Sequence, residues 1–253
     1  MSWQVALSDY LMIAPHLLLG GVLALLWSKK LYLQFPLFFA YTVAELIQFL
    51  VLFSMLRIST VSATQYGVAY AIGLGVSTAL RFGVIHEVFA SVFRNYEVLR
   101  AYGKPVFRWV TAGLLAFGLG VAVYSGGPGF DRRTAVLFLL DRTASIAQCG
   151  LLVALLLFAS YLGLSLRSHV FGIALGLGLF SSVELATAAI RTHLGFTGAT
   201  IVNYLTMATY HACVLIWLLY LWLPERSPQY AVRSVPEHDL EAWNKELQRL
   251  IQQ

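Results

Sequence analysis

Glu45, Arg81, Asp141, Arg142 and Glu184 are ionisable residues set inside long apolar runs, in a chain of which only 11% is charged. The stretch TALRFGVIHEVF shows the contrast: Arg81, His86 and Glu87 arrive within seven positions after an almost wholly apolar segment. An ionisable group near a bilayer centre costs about 2.5 kcal/mol or more, so it faces a bundle interior or a wet cavity and finds a partner. Once there, it can hold a ligand, pass a proton, or only fix helix register.

Helical spacing tells an isolated polar residue from a stripe. Tyr41, Thr42, Glu45 and Gln48 share one face, as do Ser77, Thr78 and Arg81. Further along, Asp141, Ser145 and Gln148 align with Arg142 and Cys149 beside them, and Ser181, Glu184, Thr187 and Arg191 form another stripe. Asn203, Met207, Tyr210 and His211 occupy one half of the last apolar segment. Five such stripes point to a shared polar interior. Counting depth at 1.5 Å per residue puts Glu45 and Arg81 near the midplane as a pair. Asp141, Arg142 and Glu184 fall together in the outer half, and His211 lies near mid-bilayer. Glu87, Ser91 and Arg94 share a face at the inner boundary. His16, His169 and His193 lie near span ends, where interfacial structural roles are expected.

Elements must carry these stripes, and the composition names them. The chain is 59% hydrophobic, whereas soluble domains are nearer 45–50% apolar with about a quarter charged. Seven segments have bilayer length: roughly 10–27, 32–56, 66–93, 106–124, 133–164, 169–191 and 199–222. The expected fold is an all-α membrane protein, a seven-helix bundle over 1–223 with a tail at 224–253. Because MSWQVALSDYLM has no Lys or Arg before the first apolar run, that run is expected to stay as a span, not to be a signal peptide. Gly172 and Gly176 have the small-xxx-small spacing that lets membrane helices approach. The Gly-x-Gly pairs lie inside helical runs with no strand before them and are not phosphate loops. Cys149 and Cys213 support neither a disulfide framework nor a zinc site.

Direction follows from the basic residues, which cytoplasmic loops retain. Eleven Lys and Arg fall on one side and four on the other. The N-terminus is therefore expected outside and the C-terminus in the cytoplasm, in a bacterial cytoplasmic membrane. The net charge of +5 follows from topology and does not call for nucleic acid. In the tail, Leu240, Trp243, Leu247, Leu250 and Ile251 recur at helical spacing behind Asp239, a candidate N-cap. An amphipathic helix over about 239–251 is expected on the membrane, or against a membrane or cytoplasmic protein partner.

These features favour a binding protein, a transporter or receptor-like sensor whose interior takes a small molecule, lipid headgroup or proton. The alternatives are a redox protein holding haem or quinone, with His86 and His211 as the pair of ligands, and an accessory subunit of a membrane complex. KKLYLQFPLFFAYTVAEL and RSHVFGIALGLGLFSSVEL both run from a basic loop to a buried Glu. A faint 3+1+3 repeat, as in sugar-efflux transporters and microbial rhodopsins, would account for that. No Lys stands in the seventh span, which excludes a retinal Schiff base there. HEVF at 86–89 lacks the second histidine of a zinc-protease helix, and there is no Gly-x-Ser-x-Gly elbow. Catalysis and a metal site are not expected.

FPLFFAY, VIHEVFASVFRNYEVLR, QCGLL, YLGLSLR, FGIALGLG and DLEAWNKELQRL resemble motifs of a bacterial seven-span membrane-protein family. That family has no established activity, so the resemblance implies architecture and location, and no mechanism.

Overall fold

A computed structural model describes residues 2–58, 61–93, 168–194 and 199–224, and scattered helical positions at 109, 112, 145–146, 148–150, 152–153, 157 and 248–250. Five long helices result: α1 Ser2–Ser28, α2 Pro36–Arg57, α3 Ala63–Phe93, α4 His169–Leu194 and α5 Ala199–Trp222. All five are long and apolar enough to cross a membrane, and no strand occurs among the described residues. The architecture is that of an all-helical, multi-pass membrane protein. The fourth and fifth expected spans and most of the tail lie largely outside the described residues.

Local chemistry sets the helix ends. Ser62 and Gln65 form a capping box: Gln65 N–H donates to Ser62 Oγ at 3.3 Å and Ser62 N–H donates to Gln65 Oε1 at 2.9 Å. It starts α3 at Ala63, three residues before the expected start. Ser168 Oγ takes the Phe171 N–H at 3.2 Å and opens α4. The expected second span began at 32, but Leu31–Leu33 is a separate 3-10 turn after Lys30. Lys30 is the position where φ turns positive, at 56°. Pro36 then supplies the first helical residue of α2, where its missing N–H costs nothing.

The helices form a ring in which each packs on the next and α5 returns to α1. One end, called proximal here, holds the starts of α1, α3 and α5. At the distal end, α2 and α4 begin. Packing is uneven along the ring axis. Leu19, Val22 and Leu26 of α1, Phe38 of α2, Val84, Ile85 and Val88 of α3, Ile173 and Leu177 of α4, and Trp217 and Leu221 of α5 are all buried, and all lie in the distal half. Trp217 anchors that core. Its ring meets Phe38 at 5.3 Å and Tyr41 at 6.0 Å, both edge-on, and Nε1 donates to Ile173 O at 3.3 Å. The Gly172 and Gly176 spacing works within the bundle, since a Cβ at either position would strike Tyr220 or Trp217.

Distal helix ends are tied by side chains from other helices. Lys29 Nζ donates to the carbonyls of Leu221 and Trp222 at 2.7 and 2.8 Å. His169 Nδ1 donates to Tyr220 O at 2.9 Å. The last carbonyls of α5 lack intrahelical donors, and away from water each must find one elsewhere.

Candidate functional site

Half-way along the ring, α3 presents Ser77 and Arg81 one turn apart on the same face. Arg81 Nη1 donates to Glu184 Oε2 of α4 at 2.8 Å, with the two side chains only 5% and 18% exposed. The guanidinium also stands over the Phe180 ring, 5.4 Å from its centroid. Ser145 Oγ donates to the same Glu184 oxygen at 3.3 Å, and Ser181 Oγ donates to Gln148 Oε1 at 3.1 Å. Parts of the third, fifth and sixth expected spans thus share one polar layer.

Glu45 was expected to pair with Arg81. The structure gives it a different partner: its carboxylate accepts from Ser77 Oγ, and Arg81 turns to Glu184. Depth alone could not decide this. Glu87 lies level with Leu37; from there Arg81 is six residues along α3 and Glu45 eight along α2, or about 9 and 12 Å. Glu45 therefore sits between the levels of Arg81 and Ser77. Helix rotation chose between them.

The remaining candidates divide. Tyr41 is buried against Phe38 and Trp217, and Gln48 packs on Gly73 of α3, where a Cβ would collide with its amide. His211 stacks at a tilt on Tyr10, ring centroids 5.6 Å apart, and its Nδ1 is buried with no hydrogen-bond partner among the described residues. Asn203 was expected in the interior but is exposed, its amide reaching along the helix to Met207 Sδ at 3.6 Å. His86 lies on an exposed face of α3. The helices that carry His86 and His211, α3 and α5, do not pack directly on each other. Asp141 and Arg142 lie outside the described residues, and Glu184, expected beside them, is the partner of Arg81. Among the described residues no cluster of His, Cys, Asp and Glu could hold a metal.

Two residues do more than their sequence positions indicated. Glu87 spans from α3 to the first turn of α2, where Leu37 and Phe38 N–H groups each donate to it at 3.0 Å. It caps α2 from outside, while Arg94, expected on the same face, lies outside the described residues. A signal existed: Phe35 precedes Pro36 and offers no side-chain acceptor, so the orphan donors needed another source. His16 was assigned an interfacial role. It stacks on Phe49, centroids 3.8 Å apart, tilts against Tyr210 at 5.5 Å, and donates from Nδ1 to Met12 O at 2.7 Å.

Above the polar layer fewer of the described apolar residues are buried. A cavity of about 230 Å³ opens there among α1, α2 and α3, lined by Met12, His16, Glu45, Gln48, Phe49, Leu52, Phe53, Leu56 and Tyr66. Glu45 lines its deepest part, since its hydrogen bond to Ser77 joins cavity to polar layer. The cavity therefore has an acidic floor, aromatic walls and a packed apolar barrier on its distal side.

No family model, curated protein or solved structure matches the chain. The fold and the interior define its class: a helical multi-pass membrane protein with a charged layer beneath a half-bundle cavity.

Proposed function

We propose that this protein binds a small molecule inside the membrane, as a transporter or receptor-like sensor. The single observation that carries this reading is the cavity of about 230 Å³ floored by the Glu45 carboxylate. An apolar concavity with a few convergent polar groups is the usual form of a ligand site. A carboxylate kept at bilayer depth is costly unless it is used. The cavity lies to one side of a buried apolar half, as an access path reaching a central site from one face would.

On this reading the chain has seven spans in a bacterial cytoplasmic membrane, the cavity opening outward and the tail helix inward, where a protein partner could read the ligand state. Location and span number rest on the apolar segments, the excess of basic residues in alternate loops and the resemblance to a bacterial seven-span family.

Native mass spectrometry of the protein released gently from its own membrane tests the reading, with Leu52→Trp as a cavity-filled control. The expected result is a small added mass on the wild type that the variant loses. A bare chain in both, together with no metabolite-pool component that raises the wild-type melting temperature and not the variant's, refutes it.

A further inference from the structure

We infer that the cavity recognises an ammonium group, that of a protonated primary amine on a small apolar body. This rests on the small-molecule reading above and names its ligand class. Several acceptors line the cavity. Glu45 accepts a hydrogen bond from Ser77 and, among the described residues, carries no ion pair. The amide oxygen of Gln48, the Tyr66 hydroxyl and the second ring nitrogen of His16 add acceptor capacity. With His16 Nδ1 donating to Met12 O, Nε2 is the acceptor of the neutral imidazole. Among the described residues no Lys or Arg lines the space. An ammonium donates and never accepts, so it complements this lining, and a carboxylate ligand would meet Glu45 as a like charge.

The walls match the same chemistry. Phe49, Phe53 and Tyr66 surround the space, and aromatic faces attract cations electrostatically. Phe53 already does so for the protein's own Arg57, whose guanidinium carbon stands 5.1 Å from the ring centroid. Size narrows the class: the volume of about 230 Å³ lies below the roughly 300–1,000 Å³ of sites for drug-sized ligands. A monocyclic aromatic amine or a short-chain amine fits that space. The ammonium could belong to a free amine or to a phosphatidylethanolamine headgroup entering between helices.

The experiment uses the full chain in phosphatidylglycerol nanodiscs, which contain no amine, and measures binding of phenethylamine, 2-phenylethanol and phenylacetate by calorimetry. Phenethylamine is expected to bind saturably, with the alcohol and the acid at least about thirtyfold weaker, and Glu45→Gln is expected to remove that preference. Should Glu45→Gln fail to fold, Phe49→Leu replaces it and is expected to weaken the amine more than the alcohol. If the alcohol or the acid binds as well as the amine, ammonium recognition is overturned and the small-molecule reading stands. If none of the three binds saturably to the wild type, ammonium recognition is overturned, and the small-molecule reading is decided separately by the added mass in the native spectrum. Adding phosphatidylethanolamine to the discs then names the source: displacement of phenethylamine assigns a headgroup, and its absence assigns a free amine.

Discussion

Removing Arg81 should destabilise the bundle far more than removing Arg81 and Glu184 together. In Arg81→Leu, the Glu184 carboxylate, 18% exposed, loses its 2.8 Å guanidinium partner while the 3.3 Å hydrogen bond from Ser145 remains. Breaking a buried pair from one side costs about 3–5 kcal/mol, because the surviving charge stays buried. Replacing both partners with apolar residues is often neutral. The double variant Arg81→Leu/Glu184→Leu still loses the stacking of Arg81 on Phe180, about 0.5–2 kcal/mol. The single variant loses that stacking as well, so it cancels, and the difference between single and double variants is about 3–5 kcal/mol, the cost of the stranded carboxylate. SDS titration in mixed micelles reads it directly. A double variant no more stable than Arg81→Leu refutes the assignment. Rescue of Arg81→Leu by Glu45→Leu and not by Glu184→Leu would return Glu45 as the true partner.

Two further variants test the packing that holds the site in place. Glu87→Ala leaves the Leu37 and Phe38 N–H groups without their acceptors and should cost about 1–2 kcal/mol, the range of lost helix caps. Glu87→Gln, which retains one acceptor oxygen, should cost about half as much, and hydrogen exchange at Leu37 and Phe38 localises the effect; unchanged exchange in Glu87→Ala counts against the cap. Gly176→Ala puts a methyl into the Trp217 indole and should lower stability by about 1–3 kcal/mol through overpacking, measured as a fall in melting temperature that Gly75→Ala, in open space, does not share.

The membrane class was legible because it depends on sums along the chain. Apolar runs of bilayer length, the sparse charge and the Gly172/Gly176 spacing are one-dimensional properties, and the five described helices carry them. The end of α5 at Trp222 coincides with the expected boundary, since Leu223 and Pro224 stop the helix. Stripes were legible too: Ser77 with Arg81, and Ser181 with Glu184, do point into one polar layer.

Partner choice was not legible. Spacing along a helix gives the face and the approximate depth of a side chain, but a pair also needs two helices in register and rotated toward each other. That relation put Glu184, not Glu45, on Arg81, brought Glu87 beneath the start of α2, and left Asn203 exposed. The cavity is a property of the same kind. Residues of α1, α2 and α3 more than fifty positions apart enclose it, and it opens in the half where fewer of the described apolar residues are buried. Sequence alone determined that this chain crosses a membrane with charge in its interior; tertiary structure decided which charge is paired and which faces open space, because both depend on helix rotation and packing, which local spacing does not encode.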